Sequence, residues 1–398
     1  MTHIAINAQL VSFGQTYRNA GVSRYTYTLL EALDAIGGDD LTYTVFVSSA
    51  EAAAAAASPL GHSAHVRLEA AQWTTTSPLR RITWEQVRLP TRLREVGAQV
   101  FHAPVNVAPE RLPCPAVVTI HDLAFVRYPQ YFRPARRIYQ RTFTERSARA
   151  AQLIVAVSES TRQDIIAAFG VAPERVRVIY PTVSADFQPS GDPAALAAFR
   201  ARHGLPARYL LYLGTLEPRK NLITLVEAYA RLRAESPTGT ETAETPPLIL
   251  AGAKGWYYES LFERVRALGL ERYVTFAGYV SREEQALWYA GAALFLYPSL
   301  YEGFGLPVAE ALACGVPTIT SDVSSLPEVA GPVAIQVPPT DVVRLAQAMR
   351  DALADRTLRQ RMVVEGPQWT RRFSMDRLAR QYAAVYHEAA GARRFERA

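Results

Sequence analysis

A chain of 398 residues, 49% hydrophobic and 20% charged, is globular and too long for one ordinary core, so two domains are expected. The formal charge of +6 is mild and suits an anionic ligand or an anionic membrane surface, with no sign of nucleic-acid binding. Two separated cysteines, Cys114 and Cys314, exclude a disulfide framework and lack metal spacing; no apolar run spans a membrane, and Met1–Asn7 lacks a signal peptide's basic start and apolar core.

His3–Leu10 reads as a first strand. The loop Val11–Gly21 follows, with Gly14, Asn19 and Gly21, and then a helix from Val22 to Ile36. A glycine loop between a first strand and a helix is a ligand cradle in doubly wound folds. Its spacing is not the Gly-x-Gly-x-x-Gly fingerprint, which argues against a dehydrogenase. Leu41–Val47 is a second strand, Ala50–Ser58 an alanine-rich helix, and Arg80–Arg94 a basic helical stretch around Trp84. Val100–Ala103 and Val117–His121 are short strands. His121 thus stands at a strand's carboxyl end, where open sheets bind ligands, although a structural histidine fits the same place. His102 is a weaker candidate at another strand end.

Arg136, Arg137, Arg141, Arg146 and Arg149 lie on one helix with Ile138, Tyr139 and Phe143. That helix offers a surface for peripheral contact with an anionic membrane; a solvated basic helix is the plainer reading. Leu153–Val157 is a strand, followed by a helix capped by Ser158 or Ser160. Val176–Tyr180 ends this half. Pro181–Pro206 reads as a linker with a helical piece at Pro193–His203.

Arg208–Leu213 opens a second strand-helix series, with strands at Leu248–Gly252, Val274–Ala277, Leu294–Tyr297, Thr318–Thr320 and Ala334–Val337. This alternation is the signature of a second parallel sheet. The polar stretch between Glu235 and Pro247 is a loop without catalytic signal. The chain has only two lysines, Lys220 and Lys254, both in loops after predicted strands. In Gly214-Thr-Leu-Glu-Pro-Arg-Lys-Asn221, Arg219 and Lys220 precede a helix start, where positive charge opposes the helix dipole. Stability alone would not choose them there, and guanidinium plus ammonium suit a diphosphate.

The densest stretch is Tyr297-Pro-Ser-Leu-Tyr-Glu-Gly-Phe-Gly-Leu-Pro-Val-Ala-Glu-Ala-Leu-Ala-Cys-Gly-Val-Pro317. A strand, a glycine loop and a helix from Pro307 to Cys314 direct free backbone N–H groups to one spot. Glu302 and Glu310 bracket it, and carboxylates accept hydrogen bonds from paired sugar hydroxyls.

Glu302, seven residues and Glu310, with Gly-Phe-Gly-Leu-Pro between them, resemble the E-x7-E motif of family 4 retaining glycosyltransferases. Glu-Pro-Arg-Lys-Asn resembles that family's diphosphate motif, and Thr119-Ile-His-Asp122 its histidine site. The resemblance implies an α/β GT-B fold: two Rossmann-like, doubly wound parallel-sheet domains facing a central cleft. It implies an acceptor domain at 1–185, a linker at 186–206, a nucleotide-sugar domain at 207–372, and a helix at 373–398 crossing back to the first domain. His121, Arg219, Lys220 and Glu302 would be catalytic, with His121 approaching the donor sugar. Gly21, Gly214, Lys254, Tyr279, Gly303, Phe304, Gly305, Leu306 and Glu310 would join Arg219, Lys220 and Glu302 in donor binding. Glu302 would hold the sugar and Glu310 the ribose, while loops at Ala251–Trp256 and Ala277–Ser281 would line the base pocket.

The implied reaction is metal-independent, cofactor-free transfer of a hexose from a nucleotide diphosphate-sugar to a glycan or lipid-linked glycan, in the cytoplasm or on the membrane's inner face. Tyr128-Pro-Gln-Tyr-Phe132 resembles a bacterial mannosyltransferase branch, so GDP-mannose is the first donor expected, with UDP-glucose or another UDP-hexose as the alternative. A non-catalytic nucleotide-sugar-binding protein of the same fold is the competing class. A pyridoxal-dependent phosphorylase is disfavoured by chain length and by the placement of both lysines.

Overall fold

The computed structural model describes residues 1–13, 21–37, 40–71, 78–190, 192–235 and 245–396. Gly14 and Asn19 of the first glycine loop, and the centre of the polar loop before Pro247, lie outside the described residues. The chain divides into two compact units. Unit 1 is Met1–Thr182 with Phe373–Ala398, and unit 2 is Val183–Arg372.

The strands of unit 1 are β1 (Thr2–Asn7), β2 (Leu41–Val47), β3 (Val66–Ala70), β4 (Val100–Ala103), β5 (Ala116–Ile120), β6 (Leu153–Ala156) and β7 (Val176–Val178). They form one parallel sheet in the order β3-β2-β1-β4-β5-β6-β7. Its helices are α1 (Val22–Ile36), α2 (Ala52–Ala57), α3 (Pro78–Thr83), α4 (Leu89–Glu95), α5 (Ala124–Arg127), α6 (Pro134–Ala150) and α7 (Glu159–Phe169). The interior strands are short apolar runs buried along their length, as a sheet covered on both faces requires. The Arg80–Arg94 stretch is not one helix: a wide, π-type turn at Trp84–Arg88 separates α3 from α4, and Trp84 is buried. Ser158 caps α7 by accepting from the Thr161 N–H.

Unit 2 begins with α8 (Pro193–His203), capped by Asp192 and stopped by left-handed Gly204. Its strands are β8 (Leu210–Leu213), β9 (Leu248–Ala251), β10 (Val274–Gly278), β11 (Leu294–Tyr297), β12 (Thr318–Ser321) and β13 (Ile335–Val337). They form a parallel sheet in the order β10-β9-β8-β11-β12-β13. The helices are α9 (Leu222–Ala234), α10 (Glu259–Ala267), α11 (Arg282–Ala290), α12 (Leu306–Ala313), α13 (Leu326–Ala330), α14 (Val342–Ala354) and α15 (Arg356–Thr370).

The last helix, α16 (Met375–Glu396), belongs to unit 1 and packs on α1 and the sheet. Tyr382 and Tyr386 are fully buried there. The Tyr382 hydroxyl bonds the hydroxyls of Tyr25 and Thr119, the latter at 2.8 Å. The Tyr386 hydroxyl reaches His102 Nδ1 at 2.8 Å, and His102 Nε2 reaches Thr119 Oγ1 at 2.9 Å. Both cysteines are buried thiols outside any disulfide. Among the described residues no helix is long and apolar enough to cross a membrane.

Candidate active site

In each sheet the chain starts at an inner strand, builds outward to one side, then returns to the other. In unit 2 that reversal lies between β8 and β11. The crevice beyond the carboxyl ends of two such strands is where open sheets hold ligands. The loop after β8 carries Glu217, Arg219 and Lys220, and the loop after β11 carries Glu302. Their backbones are joined where the Leu300 N–H donates to the Arg219 carbonyl at 2.9 Å.

Asn221 strengthens this junction. It is left-handed, with φ of 58°, a conformation asparagine tolerates better than most residues. Its Nδ2 donates to the carbonyls of Pro298 at 3.1 Å and Pro339 at 2.6 Å, while Oδ1 accepts from Thr224 at 2.8 Å. One side chain therefore ties the basic loop to the ends of two strands, directly after Lys220.

Lys220 Nζ donates to Glu302 Oε1 at 2.6 Å and to the Tyr297 hydroxyl at 2.8 Å. Arg219 donates to Glu302 Oε2 at 3.1 Å, to the Tyr301 carbonyl at 2.7 Å and to Glu217 Oε1 at 2.8 Å. Lys220, Glu302 and Glu217 are each 7% exposed. Burial alone would raise the Glu302 pKa, but Lys220 and Arg219 outweigh it and hold the carboxyl at about 2. Burial pulls the Lys220 ammonium down while Glu302 pulls it up, and we take the 2.6 Å contact as one between charged groups. Two cations and two carboxylates thus balance inside a largely buried cluster. Neither basic residue is the exposed turn that a plain surface reading would make it.

The loop between the glutamates is anchored from the turn that precedes α13. The Glu302 N–H donates to Ser324 Oγ at 3.0 Å, and Ser325 Oγ bonds the carbonyls of Glu302 and Phe304 at 2.9 and 2.8 Å. Phe304 is buried. Gly305 precedes α12 with φ of 102°, and a Cβ there would meet Leu326 at 2.8 Å. Leu306 and Pro307 then start the helix. Glu310, 2% exposed, accepts from the Tyr289 hydroxyl at 3.0 Å. The two glutamates therefore sit on different partners, Glu302 with the basic pair and Glu310 beside α11.

Gly214 ends β8 against the end of β9, where a Cβ on Gly252 would lie 1.9 Å from the Gly214 carbonyl oxygen. Only bare backbone fits between these strand ends. Lys254 is turned to aromatic rings, its Nζ 5.0 Å from the Tyr258 centroid and 5.3 Å from that of Phe262. Its backbone bridges to Leu216 of the basic loop, while its side chain goes to these rings. Tyr279 is 58% exposed.

In unit 1, His121 follows β5. Its Nε2–H donates to the Pro104 carbonyl at 2.8 Å, which leaves Nδ1 as the acceptor nitrogen. The His121 N–H donates to Asn106 Oδ1 at 3.0 Å, and Tyr25 meets the ring edge-on at 4.7 Å. Burial lowers the His121 pKa, favouring the neutral ring. His102 is different: it is fully buried, pushed down to about 3 by burial, and fully engaged with Thr119 and Tyr386. That occupation by the α16 network removes it as a site candidate. Gly21 precedes α1 with φ of 61° and has open space where a Cβ would stand.

Glu217, Asn221, Tyr297, Ser324 and Ser325 belong to the site and were not picked out by sequence reasoning. For Asn221 and Glu217 a signal existed, since both lie inside Glu217-Pro-Arg-Lys-Asn221. The serines lie in Ser321-Asp-Val-Ser-Ser-Leu-Pro-Glu-Val-Ala-Gly331, which resembles the family's loop after the motif, but their bonds to the Glu302 loop arise only through the fold.

The two doubly wound parallel sheets are those of the GT-B fold. A sucrose-phosphate synthase from Thermosynechococcus elongatus shares this fold with a TM-score of 0.76 at 23% identity, covering 98% of this chain and all of that one. Residues 19–187 match the model of Glycosyltransferase Family 4, and residues 198–369 that of Glycosyl transferases group 1. The O-antigen chain mannosyltransferase B of Escherichia coli is 34% identical over 294 residues, 74% of this chain and 75% of that protein. A serotype-specific mannosyltransferase WbdA of the same species is 31% identical over 63% of this chain but only 31% of its own length. The chain belongs to the family 4 glycosyltransferases, and it is a glycosyltransferase.

Proposed function

We propose that the protein is a retaining hexosyltransferase that moves mannose from GDP-mannose to a glycan or lipid-linked glycan, without a metal or other cofactor. The observation that carries this reading is the meeting of Arg219, Lys220 and Glu302 at the β8/β11 reversal. Likeness to an O-antigen chain mannosyltransferase supports the choice of sugar.

In the proposed reaction the bond from the anomeric carbon to the phosphate oxygen breaks, and its electron pair leaves with the diphosphate. Arg219 and Lys220 stabilise that charge in a site already dry enough to strengthen it. The acceptor hydroxyl attacks from the same face, and its proton passes to the departing phosphate oxygen. Backbone amides of Gly303, Phe304, Gly305 and Leu306 contribute donors, Gly214, whose N–H donates to the Ala251 carbonyl at 2.9 Å, leaves the strand end bare for the donor, and Glu302 takes sugar hydroxyls. Glu310 takes the ribose, and Lys254 and Tyr279 border the base. Gly21 and His121 belong to unit 1, which takes the acceptor. A cytoplasmic setting fits two buried cysteines held outside any disulfide, and the arginines of α6 suit peripheral contact with an anionic inner membrane face.

Incubation with GDP-mannose, UDP-glucose and other UDP-hexoses in the presence of glycan acceptors tests the donor. Release of GDP with mannosylated product is expected. A clear preference for a UDP-sugar would overturn the mannose reading and leave glycosyl transfer standing.

A further inference from the structure

Gln9 follows β1 in unit 1 and is 6% exposed, yet neither atom of its side-chain amide has a hydrogen-bond partner. Its neighbours are satisfied. Asn7 Nδ2 donates to Glu85 Oε1 at 3.1 Å, the Ser12 N–H donates to Ser23 Oγ at 3.0 Å, and the Phe13 N–H donates to Glu51 Oε2 at 2.8 Å. A buried amide left unpaired opposes folding, so stability alone would favour an apolar side chain here.

The position is also the reversal point of the first sheet. β1 lies between β2 and β4, the strands where the order reverses, and Asn7 and Gln9 emerge at its carboxyl end. Glu85 reaches the same strand end from the π-type turn at Trp84–Arg88, a distortion often found at functional positions. Arg81 Nε lies 3.8 Å from the Glu85 carboxylate.

We propose that Gln9, with Asn7 and Glu85 beside it, forms a subsite for hydroxyls of the acceptor sugar. This rests on the reading of unit 1 as the acceptor's unit. A primary amide offers one acceptor oxygen and two N–H donors, and a carboxylate offers further acceptors. Together they match neighbouring hydroxyls, each of which both donates and accepts. A phosphate is the wrong ligand, because neither Gln9 nor Asn7 brings a positive charge to meet it. Groups that stay unpaired until the ligand arrives discriminate strongly against analogues lacking the hydroxyl.

The test is Gln9→Met, which keeps length and removes the amide, with Gln9→Ala as a second variant. Thermal midpoint, nucleoside diphosphate release without acceptor, acceptor KM, and saturation-transfer NMR with methyl α-mannoside are measured together. The midpoint of Gln9→Met should stay or rise, and release without acceptor should not change. Saturation transfer seen with the wild type should vanish, and acceptor KM should rise about tenfold or more. Unchanged saturation transfer and KM would overturn the subsite, as would a lowered midpoint with sugar contact preserved, the behaviour of an amide that only holds water. A wild type giving no saturation transfer from methyl α-mannoside or methyl α-glucoside would overturn the acceptor reading of unit 1, and the subsite with it.

Discussion

Lys220 Nζ lies 2.6 Å from Glu302 Oε1, although the two residues are 82 positions apart in the chain. The sheet reversal between β8 and β11 creates this proximity, and Asn221 and the Leu300 amide keep it. The pair is buried, so its energetics differ from those of a surface ion pair. Lys220→Met leaves Glu302 buried with Arg219 as its one remaining cation, and should cost about 3–5 kcal/mol of stability. Chemical denaturation measures this, and a loss below ~1 kcal/mol would mean the pair is effectively solvated.

The same pair sets an acid limit. Glu302 is held at about 2, below its ordinary 4.5, so it contributes stability that is fully present above pH 4.5. That contribution is lost as pH falls from 4.5 through 2 and amounts to about 3 kcal/mol. In Glu302→Gln this part of the acid transition should be missing. The stability gap between wild type and variant should narrow across that window; a gap that stays constant would contradict the assignment.

Helix α16 makes unit 1 depend on the end of the chain. Tyr382→Phe removes the bonds to Tyr25 and Thr119 and leaves buried hydroxyls behind. The expected loss is about 1–3 kcal/mol. Deleting residues 373–398 should unfold unit 1 while unit 2 keeps its own transition. Calorimetry on the two variants checks this, and an unchanged unit 1 transition after the deletion would contradict it.

Particular elements show how far the sequence could be read. The helix at Pro193–His203 was legible to the residue, because Asp192 caps it, Pro193 starts it and Gly204 stops it. The strand–glycine-loop–helix order around Glu302 was equally legible, since glycines and a first-turn proline mark it. Strand β3 was not: Val66–Ala70 is a half-exposed edge strand with a charged residue at every second position, and no apolar run announces it. The residues Arg219, Lys220 and Glu302 could be picked from the sequence, but their burial and mutual pairing could not. Those arise from the crossover that sets β8 beside β11. Lys254 looked equivalent to Lys220 by its place after a strand, yet Tyr258 and Phe262 draw it to their rings.

Arg219 and Lys220 supply positive charge that a metal would otherwise bring to a diphosphate. We therefore expect transfer to continue in excess EDTA. A complete loss of activity that magnesium or manganese restores would contradict the basic-pair account.

The central claim is that the diphosphate of the donor rests on Arg219 and Lys220 and that these residues carry its departure. Calorimetric titration of GDP against wild type, Arg219→Ala and Lys220→Ala, each first shown to be folded, tests it most directly. The account predicts tight binding by the wild type, with affinity weakened in each variant by about tenfold or more and turnover lowered by roughly two orders of magnitude. Isotherms and turnover indistinguishable from the wild type in both variants would contradict it.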